Sequence, residues 1–161
     1  TLQSFTRSTV SKHSTTDKRE WPFRFLFVDR LIKLKRVDLL INALARIGRR
    51  EFELEIVGSG PEMSVLKSLA EQLLPGRVRF LGTLPISEVS GQMARADCLV
   101  LPSWHDGWGA VISEAMIVGT PVICSSACGA AGSVIASKRG GVFKPGDCAA
   151  LSNLLRRQLE H

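Results

Sequence analysis

The stretch WHDGWGAVISEAMIVGTPV, residues 104–122, holds two acidic side chains, Asp106 and Glu114, with seven residues between them, around Gly107-Trp108-Gly109. A glycine-flanked loop entering an apolar, helix-like run offers free backbone N–H groups and the positive end of a helix dipole, so the place suits an anion. The two carboxylates must then serve another partner, such as hydroxyl groups. Upstream, DRLIKLKR carries Arg30 and, five residues later, Lys35. Two such cations can clamp a diphosphate, Arg through a fork of donors and Lys as a point charge; taken alone, they read equally well as solvated surface groups. In VGSGPE, Gly58 and Gly60 let the backbone approach a ligand closely and Pro61 opens a helix. That pattern is not GxGxxG, and by itself it describes a tight strand-to-helix turn better than a dinucleotide site. In FLGTLP, Leu81 and Gly82 supply backbone groups suited to the edge of a planar base, or simply an ordinary loop.

These loops need a scaffold that brings them to one edge. From Phe23 onward, short apolar runs alternate with amphipathic segments, the pattern of a parallel sheet covered on both faces. FRFLFV, LEIV, VRFL, CLVL and PVIC read as strands. Leu40, Ile41, Leu44 and Ile47 share one helical face, and so do Met63, Leu66, Leu69 and Leu73 after Pro61. A further helix is expected with its cap at Ser87, and the helix after the opening stretch is expected to end at Gly119. The last starts near Asp147 and buries Leu151, Leu154 and Leu155. The expected fold is α/β, a Rossmann-like three-layer sandwich with a mostly parallel sheet. Ligands of such sheets lie beyond the carboxyl ends of the strands, where all four loops fall.

Composition limits the alternatives. The 161 residues are 45% hydrophobic, enough for one domain with a real core. The net charge of +6 is scattered, with short pairs such as Arg49-Arg50 and Arg156-Arg157, and 6% aromatics without any Tyr provide no stacking platform for bases. Nucleic acid is therefore not the expected partner; the excess charge reads either as plain surface charge or as attraction to a small anionic ligand or an anionic membrane surface. No apolar run approaches the roughly 18 residues of a membrane span, so a cytoplasmic domain is expected. Cys98, Cys124, Cys128 and Cys148 form no CxxC pair and are expected as reduced thiols without a structural metal. Residues 1–20 read as a linker or disordered lead-in, residues 21–158 as the folded domain, and 159–161 as the remnant of an expression tag.

The motifs VDRLIKLKRVDLLINAL, LEIVGSGPE, VRFLGTLP, ADCLVLPSWHDGWGAVISEAMIVGTPVICS and GGVFKPGD, in that order from about Phe25 to Asp147, resemble the carboxyl-terminal, donor-binding domain of GT-B glycosyltransferases of the retaining GT4 or group 1 family. The acidic pair of that family is usually Glu-x7-Glu; here Asp106 stands first and Glu114 matches the second. The resemblance implies that Glu114 meets the ribose hydroxyls of a nucleotide sugar, that Asp106 faces the sugar ring, and that the amides of Gly107, Trp108 and Gly109 lie near the diphosphate. It makes Arg30 and Lys35 the pair that neutralises the leaving nucleoside diphosphate, without a metal. Ser133 in CGAAGSVI stands where many relatives carry Glu, while the Gly129-Ala130-Ala131 backbone can still serve an anion. His105 is expected at the pocket rim, because the catalytic His of the family lies in the other domain.

The resemblance implies a UDP-, GDP- or ADP-sugar as substrate and no separate cofactor. It implies a glycan or lipid-linked acceptor in surface polysaccharide or lipopolysaccharide assembly at the inner face of a membrane, and an amino-terminal GT-B domain as the missing half. This fragment alone is then expected to bind donor but to transfer poorly or not at all. The alternative from another class is a non-catalytic nucleotide or nucleotide-sugar binding module. A nicotinamide-dependent dehydrogenase is weaker, since the segment after FRFLFV lacks GxGxxG.

Overall fold

A computed structural model describes residues 22–48 and 51–160. The expected lead-in at 1–20, the Arg49-Arg50 pair and His161 lie outside the described residues. Six strands, β1 (Phe23–Val28), β2 (Phe52–Val57), β3 (Val78–Gly82), β4 (Cys98–Leu101), β5 (Val122–Ser125) and β6 (Gly141–Phe143), form one sheet in the order β3-β2-β1-β4-β5-β6. Every pairing is parallel. Parallel strands need crossovers, and six helices supply or flank them: α1 (Val37–Ala45), α2 (Met63–Leu73), α3 (Ile86–Arg95), α4 (Ala110–Ile117), α5 (Ala131–Ser137) and α6 (Cys148–Leu159). α1 packs against both α2 and α6, α3 packs against α4, and α5 covers β5 and β6. This is the expected Rossmann-like α/β sandwich, with strands such as CLVL and VICS buried along their whole length between the helical layers.

The strand order reverses between β1 and β4, whose connections leave toward opposite edges of the sheet. Pairing between them covers only Phe25 with Cys98 and Leu26 with Leu99, so a crevice opens past their carboxyl ends. β1 continues into a single 3-10 turn, Lys33–Lys35, followed by Arg36 at φ 56°, a left-handed conformation that a side chain rarely adopts. Its guanidinium bonds both oxygens of Asp38, at 3.1 and 3.3 Å, and lies 5.6 Å over the Trp104 ring.

Helix ends agree with the sequence in two places and differ in one. Gly119, at φ 83°, ends α4 in a Schellman arrangement in which the Gly119 amide donates to Met116 and that of Thr120 to Ala115. The Asp147 carboxylate caps α6 by accepting from the Ala150 amide at 3.0 Å. Ser87 is no cap: α3 begins at Ile86 after Pro85, whose extended backbone starts the helix without a side-chain bond. Leu159 closes α6 and packs against the core. The four cysteines are free thiols; Cys98, Cys124 and Cys128 are buried. Among the described residues, no helix is long and apolar enough to cross a membrane.

Candidate functional site

The crevice between β1 and β4 is floored by an ion triad. The 3-10 turn folds Lys35 back under the β1 loop, where its Nζ lies 2.8 Å from Asp106 Oδ2 and 3.1 Å from Asp29 Oδ2. Only 8% of the Lys35 side chain is exposed, against 11% for Asp106 and 21% for Asp29. Burial alone would lower the Lys35 pKa, but its hydrogen bonds and charge contacts with the two carboxylates outweigh it, and the pKa is raised. For Asp106, burial works toward a higher pKa, while bonds from Lys35, Ser103 and Gly107 turn the balance and hold it below the usual carboxylate value. The Ser103 hydroxyl donates to Asp106 Oδ2 at 2.9 Å and the Gly107 amide to Oδ1 at 2.9 Å. Behind them the Ser125 hydroxyl donates to the Ser103 carbonyl at 2.6 Å, which ties the triad to β5. A lysine ammonium has three protons, and two of them are accounted for by these carboxylates.

The sequence reading has Asp106 facing a sugar ring, whereas the structure turns its carboxylate onto Lys35, Ser103 and the Gly107 amide. The Gly107 amide thus donates to the Asp106 carboxylate here. Among the described residues, the amides of Trp108 and Gly109 donate to no carbonyl, and they remain the open donors ahead of α4. The Gly129-Ala130-Ala131 backbone is likewise spent: these amides donate to the carbonyls of Gly107, Trp108 and Cys128, which braces the 107–109 loop from behind.

Gly58 and Gly60 act first on their neighbours. A Cβ at Gly58 would lie 1.9 Å from the Asp29 carbonyl oxygen, and one at Gly60 2.4 Å from that of Leu31. The amides of Asp29 and Leu31 donate to Val57 and Ser59, and that of Glu62 to Leu31. The glycines thus let the β2 loop lie against the β1 loop and fix where Asp29 stands. Pro61 sits in the turn ahead of α2. Gly82 lends its carbonyl to the Gly58 amide, and Leu81 lines a groove of about 470 Å3 together with Leu84, Ser87, Glu88, Gly91, Gln92 and Arg95. That groove opens at edge strand β3, two strand spacings or about 10 Å from the crevice.

The rest of the predicted site stands open. Arg30 and Glu114 are exposed, and among the described residues neither charged group has an ion-pair or hydrogen-bond partner. Trp108 is 61% exposed, with its indole N–H donating to Ser113 at 3.1 Å. His105 is exposed beside Asp106, as expected for a rim residue. Trp104 is a structural tie: its amide donates to the Leu34 carbonyl at 2.8 Å and its ring lies against Gly146. Sequence reasoning missed Asp29 and Ser103. The available signal is that Asp29, Arg30 and Lys35 bracket one strand-to-helix turn, so any turn tight enough to fold Lys35 back leaves it beside the first carboxylate.

Comparison with known proteins identifies the family. The family described as glycosyl transferases group 1 matches residues 11–161. The chain is 31% identical over 137 residues to a 2-deoxystreptamine glucosyltransferase of Streptomyces kanamyceticus, covering 83% of this chain and 35% of that protein. It is 33% identical over 157 residues to a glycogen synthase of Mycobacterium tuberculosis, covering 89% of this chain and 38% of that protein. Among solved structures, WaaG, a glycosyltransferase involved in lipopolysaccharide biosynthesis, superposes with a TM-score of 0.80 at 28% identity, over 98% of this chain and 42% of its own. HepE of Anabaena, in complex with UDP and glucose, gives 0.78 at 29% identity, over 86% of this chain and 39% of its own. The chain thus spans less than half the length of these relatives. It belongs to the group 1 glycosyltransferase family.

Proposed function

We propose that this group 1 chain is the donor-binding half of a retaining glycosyltransferase, holding a nucleotide sugar across the carboxyl edge of its sheet. The observation that carries the reading is the pre-assembled Asp29–Lys35–Asp106 triad at the β1/β4 reversal, with Arg30 and Glu114 open on its rim. The remaining proton of Lys35 and the Arg30 guanidinium meet the diphosphate, and the open Trp108 and Gly109 amides lie beside it. Glu114 accepts from the ribose hydroxyls, and the base lies toward Leu81 and Gly82 at the mouth of the β3 groove. Asp106 acts chiefly by fixing Lys35, with its carboxylate edge toward the sugar. As the glycosidic bond breaks, charge builds on the departing diphosphate, and Lys35, positioned by Asp106, stabilises it together with Arg30 from the rim. The acceptor is a glycan or lipid-linked saccharide held mainly by a second domain, consistent with the lipopolysaccharide-related neighbour and with the share of the relatives that this chain spans.

A thermal-shift screen of the chain against UDP, GDP, ADP and CMP and their sugars tests the reading. A ligand that binds only the folded state at a hundred times its Kd stabilises it by about 2.7 kcal/mol, which is an upward shift of several degrees for a domain of this size. One nucleotide should stand out, and a flat response to all four would overturn the proposal.

A further inference from the structure

We infer that Asp29 is a displaceable counter-ion: it holds Lys35 before the donor binds, gives way to the donor diphosphate, and reclaims the lysine as the nucleoside diphosphate product leaves. The inference rests on the donor-site reading above. The two carboxylates on Lys35 are not equivalent. Asp106 is the more buried, lies closer at 2.8 Å, and is fixed by the Ser103 hydroxyl and the Gly107 amide as well as by the lysine. Asp29 is the more exposed, lies at 3.1 Å, and its carboxylate is otherwise held by the adjacent Arg30 amide at 2.7 Å. Its backbone is locked by Gly58 and by the bond to Val57, so the carboxylate can turn on its own χ angles without moving the loop.

The charges point the same way. One ammonium between two carboxylates leaves the triad at a net charge of −1; on the rim Arg30 adds one positive charge and Glu114 one negative, so these five groups still sum to −1. A diphosphate entering this site is repelled by whichever carboxylate remains close, and Asp29 is the one free to withdraw. Asp29 thereby weakens binding of phosphates in proportion to their charge. It keeps the product from being held as tightly as an uncompensated Lys–Arg pair would hold it.

The test compares the 161-residue chain with Asp29→Asn, which keeps shape and an acceptor for the Arg30 amide but removes the charge. Calorimetry is run with UDP, GDP and ADP, each beside its monophosphate and its nucleoside. For the nucleotide that the unmodified chain accepts, the variant should bind the diphosphate on the order of tenfold tighter. The monophosphate should gain less and the nucleoside nothing, and the gain should shrink in high salt. A purely structural role would move all three ligands alike, which would overturn the inference, as would an unchanged or weaker diphosphate affinity. Should the variant fail to fold, carboxyl-labelled aspartate in the unmodified chain gives a second measurement: the Asp29 carbon resonance should move on adding the diphosphate, and a shift at Asp106 alone would contradict the account. Failure of the unmodified chain to bind any of the nucleotides overturns the donor-site reading and this inference together; binding without the gain overturns only the inference.

Discussion

The two carboxylates of the Asp-x7-Glu segment have opposite situations. Asp106 is almost enclosed and accepts from Lys35, Ser103 and Gly107, whereas Glu114 stands exposed on α4 with its carboxylate unengaged among the described residues. The cations divide in the same way, Lys35 beneath the loop and Arg30 out on the rim. One half of the site is internally paired; among the described residues the charged groups of the other half have no partner. Damage to the closed half should therefore register first in stability, and damage to the open half in binding alone.

The largest effect should come from Lys35→Met, which leaves two partly buried carboxylates facing an apolar side chain in place of a buried ammonium. Removing one partner of a buried pair costs about 3 kcal/mol or more, so the melting temperature should drop by roughly 10 °C. A drop under 2 °C would place Lys35 in the open half after all. Asp106→Asn should cost about 2 kcal/mol at neutral pH and should also flatten the acid limb of stability. The pKa of Asp106 is lowered in the fold, so its contribution is present above its ordinary value of 3.8 and is lost as pH falls through the folded value. Melting curves of the two proteins should thus converge in acid, and parallel curves down to the lowest pH would break the argument.

Arg30→Ala sharpens the contrast from the other side. Stability should change by less than about 0.5 kcal/mol, while nucleoside diphosphate affinity should fall roughly tenfold at low salt and by less at high salt. A matching loss of stability would show that the rim is not open. The smallest change is expected from Arg36→Gly. Relief of the left-handed backbone is worth about 1 kcal/mol, and loss of the partly exposed Asp38 pair and the Trp104 contact offsets most of it. A gain of a few tenths of a kcal/mol in chemical denaturation is expected; a loss above 1 kcal/mol would mean that the Arg36–Trp104 contact holds the crevice loops in place.

How much of this was legible beforehand follows the same division. Strands buried on both faces, such as CLVL and residues 25–28 of FRFLFV, announce themselves as unbroken apolar runs, and the order of the loops follows from them. α5 and β6 do not: seven residues rich in Ala, Gly and Ser and three residues opening on Gly141 are too short to show a period. β6 depends on tertiary contact, since a Cβ at Gly140 would lie 1.9 Å from the Val122 carbonyl oxygen and one at Gly141 2.5 Å from the Leu154 side chain. In the candidate site, residue types and spacing pointed to Arg30 and Glu114, which the structure leaves exposed. They did not reveal that Lys35 is folded beneath the loop, or that Gly58 serves the backbone of Asp29, because both facts depend on a 3-10 turn and on a contact between two loops.

The central claim, that Glu114 waits for a ribose while the triad waits for phosphate, is tested most directly by a double-mutant cycle. Binding of the best nucleoside diphosphate and of its 2′,3′-dideoxy analogue is measured by calorimetry on the native chain and on Glu114→Gln. A charge-assisted hydrogen bond is worth roughly 1.5–3 kcal/mol, so each single change should weaken binding about tenfold or more. Dideoxy ligand and variant together should lose little beyond either one, with the melting temperature of the empty variant unchanged. Full additivity of the two losses, or a variant destabilised without ligand, would contradict the account.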